Sequence, residues 1–362
     1  MAALAQTAAM AEDGNPSDRG AAERNDSASG GAAECGPLQW ARIASIPDAE
    51  GFAGPFAGVA QGKLLVAGGA NFPEARPWQS GTKVWYDRVY VLDRPDGRWQ
   101  AVGRLPRRLA YGVSISTEQG VVCLGGADAA QHFADCFVLR LSAGKTSVTQ
   151  LPDLPRPCAY ACGAAVGDTL FVAGGLQRPD DTQAMHTFWK LDLGASDPNW
   201  TAMPPWPGPE RMLATAGVLS GDFYLFGGTS LYADAEGKAA RRMLTDAYRF
   251  RPGEGWKRIA DLPRPSVAAP SPAPAIGRSC LLVLGGDDGS QLGNPQESHR
   301  GFPRGIQAYN ASRNRWEQGA SVPFSLVTTT AVDWNDAVVV PGGEAKPGVR
   351  STDVWSASIV RQ

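Results

Sequence analysis

Leu64-Leu65-Val66-Ala67-Gly68-Gly69 is an apolar run that stops at two glycines. Such a run reads as a buried strand, and the glycines as a turn too tight for side chains. The ending recurs at Gly125-Gly126, Gly174-Gly175, Gly227-Gly228, Gly285-Gly286 and Gly342-Gly343, each pair 49 to 58 residues from the last. After each pair come a variable loop and a strand carrying an aromatic: Tyr90, Phe137, Trp189, Tyr248, Tyr309 and Trp355. A fixed period of this size marks a repeat architecture in which neighbouring units bury one another's faces.

A third mark is a tryptophan followed seven positions later by a proline. It stands at Trp99–Pro106, Trp200–Pro207, Trp256–Pro263 and Trp316–Pro323, with Val148–Pro155 as a variant. The sixth repeat ends with the chain and has no room for this strand, but Trp40–Pro47 supplies a copy at the other end. The N-terminal segment is therefore expected to form the outer strand of the last unit. That closes a ring and leaves no long open edge. The three marks together resemble kelch repeats over 38–362, and the resemblance implies an all-β, six-bladed propeller. Glycines serving turns and aromatics packing between blades account for most of these residues.

Composition narrows the function. The chain has 362 residues, 43% apolar, with a formal charge of −2. That is enough for a large core, and it argues against a general binder of nucleic acid or membrane surfaces. No apolar run is long enough to span a bilayer. The 43 glycines and 28 prolines favour many short strands. Residues 1–37 are small and polar and read as a disordered tail. Met1 to Ala11 lacks the basic start and apolar stretch of a signal peptide. Cys123 and Cys280 sit in apolar runs and read as buried free thiols; Cys158 and Cys162 lack the partners of a zinc site.

In a closed propeller the loops after Gly-Gly and the crossings between blades open on one face, around the central channel. The crossings carry Arg107-Arg108, Arg156, Glu210-Arg211 and Arg264. Arginine there serves either as a tie between blades or as part of an anion pocket, since its fork matches a carboxylate. The loop Gly342-Gly343-Glu344-Ala345-Lys346-Pro347-Gly348-Val349-Arg350 packs charges of both signs behind the apolar run Ala337–Val340.

That loop resembles the catalytic loop of the N-acetylneuraminate epimerases, the sialic acid mutarotases. Further likeness lies in Phe56-Ala57-Gly58, Gly68-Gly69-Ala70-Asn71-Phe72-Pro73, Ala110-Tyr111-Gly112-Val113-Ser114 and Gly208-Pro209-Glu210-Arg211. The Glu loop lies mid-chain in the enterobacterial enzymes and in the last blade here, so the order resembles the cyclically permuted mutarotases. The enterobacterial motif has arginine where this chain has Leu109. The resemblance implies interconversion of the α and β anomers of a sugar acid, with no metal and no redox cofactor. It implies Glu344 as general base. Arg350 is the candidate for the substrate carboxylate, and Lys346 for a hydroxyl or for keeping Glu344 ionised. Arg107, Arg108 and Arg211 are candidates at the crossings, Asn71 for the N-acetyl or glycerol groups, and Trp78 for stacking on the sugar. A loop-internal salt bridge from Glu344 to Lys346 or Arg350 is the competing account. His132, His186 and His299 fall in three different Gly-Gly loops and read as surface residues.

Two other classes are weighed. One is a non-catalytic kelch binding module. The other is a copper radical oxidase, which needs two histidine ligands and a Tyr–Cys crosslink that three scattered histidines do not provide. The sequence leaves open the oligomeric state, the preferred sialic acid and the compartment: cytoplasm from the missing leader, periplasm from the resemblance.

Overall fold

The computed structural model describes residues 35–36 and 38–359. Among them, six four-stranded antiparallel sheets follow one another along the chain. The first five cover 56–104, 113–151, 162–203, 215–259 and 275–317. The sixth is built from Val332–Trp334, Ala337–Pro341, Val354–Ile359 and, as its outer strand, Leu38–Ile43. Trp40 pairs with Ala357 and Ile43 with Val354 in that sheet. The N-terminal strand thus closes the ring of a six-bladed propeller, as the misplaced Trp–Pro mark requires. The expected tail over 1–37 lies, apart from Cys35 and Gly36, outside the described residues.

The strand before each glycine pair is buried on both faces, because a blade lies against each side of it. Gly120–Leu124, Asp222–Phe226 and Cys280–Leu284 are buried at every position. This is why these strands read as continuous apolar runs rather than alternating ones. The outer strand Lys145–Leu151, by contrast, is exposed along most of its length. The seam between first and last blades is packed like the others: Leu64 and Val66 meet Val339 and Val354. Burying one such aliphatic side chain contributes about 1.5–3 kcal/mol.

The tryptophans of the Trp–Pro mark tie blades by hydrogen bonds as well as by packing. Trp99, Trp200, Trp256 and Trp316 each donate their indole N–H to a carbonyl at the end of the preceding blade: Ala44, Pro152, Pro204 and Ala260, at 2.8 to 2.9 Å. Trp40 differs. Its indole nitrogen is buried without a partner among the described residues, and its ring packs edge-on against Phe324. Here the tie to blade 5 is a disulfide between Cys35 and Cys280. That corrects the reading of Cys280 as a free thiol: its apolar setting is real, but the closing segment brings a second sulfur to it. Cys123, Cys136, Cys158 and Cys162 are free and buried.

In five of the six blades the glycine pair locks the blade to the next crossing. The Gly69 N–H donates to Leu109 O, Gly126 to Cys158, Gly175 to Arg211, Gly228 to Ser266 and Gly343 to Phe52. At Gly68 the backbone has φ +64°, and a Cβ would sit 2.3 Å from Leu109 O. No other residue fits there.

Candidate active site

The crossings build the floor of the site. One residue of each crossing takes a left-handed backbone: Gly54, Tyr111, Tyr160, Leu213, Ala268 and Thr328, with φ between 55° and 63°. Each donates its N–H to the carbonyl of the one before, at 2.7 to 2.8 Å, and Gly54 donates to Thr328. The result is a closed ring of six backbone hydrogen bonds around the channel. For the non-glycine members this conformation costs about 1–3 kcal/mol each, and it persists because the ring fixes both amide and carbonyl.

Above this ring lies a cavity of about 590 Å³. Its walls are the loops that follow the glycine pairs. Short hairpins rise from blade 1 (Ala70–Asn71 with Val84–Trp85), blade 4 (Thr229–Ala233 with Ala239–Met243) and blade 6 (Glu344–Lys346 with Val349–Arg350). They bring Lys83, Arg241, Glu344 and Arg350 to the cavity, and His299 comes from blade 5.

Glu344 and Arg350 face each other as a cross-strand pair in the blade 6 hairpin. Opposite residues in an antiparallel pair share one face, which is why they meet. The Glu344 Oε1 accepts from Arg350 Nη1 at 2.5 Å and from the Gly348 N–H at 2.9 Å. Its Oε2 has no protein donor among the described residues, and the side chain keeps 20% of its surface exposed. Gly348 makes the turn at φ +79°, where a Cβ would lie 2.4 Å from the Pro77 ring. Arg350 is nearly sealed, with 2% of its side chain exposed. Its Nε donates to Ala70 O at 3.2 Å, and its guanidinium lies 5.2 Å from the Phe72 ring centre. Two faces of the guanidinium thus hold Glu344 and blade 1.

Two phenols complete the site. The rings of Tyr111 and Tyr160 lie 4.9 Å apart, and burial pushes both hydroxyls up to about 12. Both are neutral donors at physiological pH. The Lys83 ammonium sits 4.9 Å from the Tyr111 ring centre and 5.1 Å from that of Trp85. Burial lowers its pKa, and the charges of Tyr160, Arg350 and Glu344 all act on it.

The other residues singled out from the sequence lie elsewhere: none of Arg107, Arg108, Arg211, Asn71, Trp78 and Lys346 lines this cavity. Arg211 is fully buried between blades, donating to Asp246 at 2.6 Å and to Gly227 O at 2.8 Å. Arg264 likewise donates to Gly305 O at 2.6 Å. At these crossings arginine is a blade tie, because its five donors match carbonyls that the chain reversal leaves unpaired. Arg107 pairs with Asp135 on the rim, over the Phe133 ring, and Arg108 lies in a separate cleft beside Asp48 and Tyr86. Asn71 is consumed by Asp48, Gly51 and Tyr86. A bulge between Glu344 and Lys346 breaks the strand alternation. Lys346 therefore leaves its neighbour, donating to Glu297 O and covering Trp78.

Two of the three histidines depart from the surface reading. His132 is buried, with Nδ1 at 2.9 Å from Leu176 O and its ring edge-on to Tyr160. His299 is buried on the cavity wall and accepts the Gly301 N–H at Nδ1. His186 is exposed, as expected, with Nε2 at 2.9 Å from Trp206 O. Among the described residues no three His, Cys, Asp or Glu side chains gather as a metal site. Sequence reasoning gave no role to Lys83, Tyr111, Tyr160, Arg241 or His299. The repeated Ala-Tyr of Ala110-Tyr111 and Ala159-Tyr160, just before two inner strands, is the signal that marks the phenols.

A family model described as N-acetylneuraminate epimerase matches residues 22–148 and 151–292. Relatives carrying that name include a Yersinia enterocolitica protein, 26% identical over 231 residues, and a Yersinia pestis protein, 26% identical over 246. A Haemophilus influenzae protein with the same name is 30% identical over 227 residues. These matches cover 56%, 60% and 56% of this chain. They span 56%, 60% and 57% of the relatives' own lengths. The matched residues end before the Glu344 loop.

Proposed function

The chain belongs to the N-acetylneuraminate epimerase family, and from that premise we propose that it interconverts the α and β anomers of N-acetylneuraminate, with Glu344 as the base. The observation that carries this reading is the state of one carboxylate. Glu344 is fixed through Oε1 by Arg350 and the Gly348 N–H, while Oε2 stays unbonded beside the central cavity. A base needs both halves of that arrangement: a fixed position and a free lone pair.

The reaction moves protons only. Oε2 takes the proton of the anomeric hydroxyl, the carbonyl forms at that carbon, and the bond to the ring oxygen breaks. The ring oxygen takes a proton as it leaves. Rotation about the bond to the next carbon presents the other face of the ketone, and the same steps in reverse give the other anomer. The Tyr111 and Tyr160 phenols, held neutral by burial, are the donors available to the ring oxygen. A positioned base contributes about 10²–10⁴-fold. Because the family match stops short of Glu344, its assignment rests on this geometry and on the loop motif. We read the chain order as a circular permutation: blade 6 touches blade 1 in the closed ring, so the same site forms wherever the chain is opened.

Proton NMR of freshly dissolved, anomerically pure N-acetylneuraminate tests the reading. The protein should accelerate anomer exchange, and Glu344→Gln should still fold and bind while exchange falls by about 10²-fold or more. A glutamine variant exchanging at the wild-type rate would make another group the base. Wild-type protein that binds the sugar without accelerating exchange would instead be a sugar-acid binding propeller.

A further inference from the structure

Arg350 was the sequence's candidate for the substrate carboxylate, but its Nε and Nη1 are committed to Ala70 O and Glu344, and its charge is already paired with the Glu344 carboxylate. With that charge already balanced, the substrate's negative charge calls for a second, unpaired cation. We propose that Lys83 is that residue: its ammonium binds the carboxylate of the sugar acid, and Arg350 is a positioning residue for Glu344. The inference rests on the epimerase reading for the identity of the substrate.

Three observations converge on Lys83. First, it lines the cavity and has no hydrogen bond or ion pair from its side chain to any described residue, and its ammonium lies over the rings of Trp85 and Tyr111. Two aromatic faces hold a cation in place without occupying its N–H donors. Second, the acids on the wall are otherwise engaged. Asp181 pairs with Arg178, Asp287 accepts the Gly289 N–H, and Glu344 pairs with Arg350. Third, Lys83 lies within electrostatic reach of Glu344 and Arg350. The substrate's carboxylate and its anomeric hydroxyl hang from the same carbon atom. Whatever holds the carboxylate must therefore neighbour the base. Arg241 is the other unpaired cation on the wall, but it acts on Tyr160, whereas Lys83 is coupled to Tyr160, Arg350 and Glu344 alike.

The burial that lowers the Lys83 pKa gives the arrangement its selectivity. An anion arriving beside a partly desolvated ammonium gains more than one meeting a hydrated lysine, and an uncharged ligand gains nothing comparable. The site should therefore tell a sugar acid from the same sugar with its charge removed.

The test compares N-acetylneuraminate with its methyl ester, which keeps the ring and loses the charge. Anomer exchange is followed by NMR and binding by calorimetry. Wild-type protein should favour the acid by about tenfold or more in kcat/KM and in affinity. Lys83→Met keeps the stem against Tyr111 and Trp85 and should bring the acid-to-ester ratio close to one, chiefly by raising KM for the acid. Lys83→Arg should restore part of the ratio. Thermal unfolding confirms that each variant is folded, and Lys83→Gln replaces any that is not. A wild-type ratio preserved in Lys83→Met would overturn the inference, as would wild-type protein that treats acid and ester alike. Should wild-type protein bind the acid but not exchange it, the epimerase reading fails alone, and the affinity ratio still judges Lys83.

Discussion

Two buried arginine–carboxylate pairs sit at comparable places in this propeller and do different things. Arg211–Asp246 lies between blades 3 and 4, and Arg350–Glu344 lies on the cavity wall; the arginine side chains are 0% and 2% exposed. Both carboxylates load one oxygen with two donors: Asp246 Oδ2 takes Arg211 and the Tyr248 hydroxyl, and Glu344 Oε1 takes Arg350 and the Gly348 N–H. The second oxygen separates them. Asp246 Oδ1 is sealed in protein without a partner, whereas Glu344 Oε2 remains open to the cavity. An ion pair is structure when its spare lone pairs are buried and chemistry when one of them faces a site.

The sharpest way to break the comparison is to remove each arginine. Arg211→Ala leaves a carboxylate stranded between blades and should cost about 3–5 kcal/mol in denaturant unfolding. Arg350→Met should cost less, about 1–3 kcal/mol, because Glu344 can reach water in the cavity. It should still abolish most anomer exchange, since the base is no longer held. Equal losses of stability would show that the open oxygen makes no difference.

Replacing whole pairs sharpens the contrast further. Arg211→Met with Asp246→Leu should return to within about 1 kcal/mol of wild-type stability, because no charge is left unpaired. The corresponding change, Arg350→Met with Glu344→Leu, should recover stability in the same way but no activity. A double variant at blades 3 and 4 as unstable as Arg211→Ala alone would show that the charges, not the packing, hold that junction.

The smallest expected effect concerns Lys83, a half-buried cation with no carboxylate in ion-pair contact. Burial lowers its pKa from 10.5, so as pH rises the folded chain releases this proton before the unfolded chain does. The unfolded state then binds more protons, and stability rises with pH over that interval. Below it, both states carry the charge and the fold bears the full desolvation cost. Lys83→Met should therefore stabilise the protein at neutral pH, with the gain shrinking as pH climbs toward 10.5. A gain independent of pH would mean that the ammonium is not desolvated in the fold.

The blade count, the closing strand and the face that carries the loops were all legible in the chain. Each follows from a local, periodic cause: a glycine pair where only glycine fits, an apolar run buried on two sides, a tryptophan reaching the preceding blade. The cavity was legible in part. Glu344 and Arg350 are six residues apart in one hairpin, so a single motif contains both. Lys83, Arg241 and His299 come from blades 1, 4 and 5, Tyr111 and Tyr160 from the crossings into blades 2 and 3, and none shares a motif with it.

The repeat by itself determined the fold, because nearest-neighbour packing of like units has one closed solution and its marks recur every blade. Only the tertiary structure decided what each charge does. Arg211 and Arg350 differ in sequence by nothing that a guanidinium records. One meets a carboxylate sealed inside a blade junction and the other a carboxylate open to the channel, and that choice is made by which loops the ring brings together.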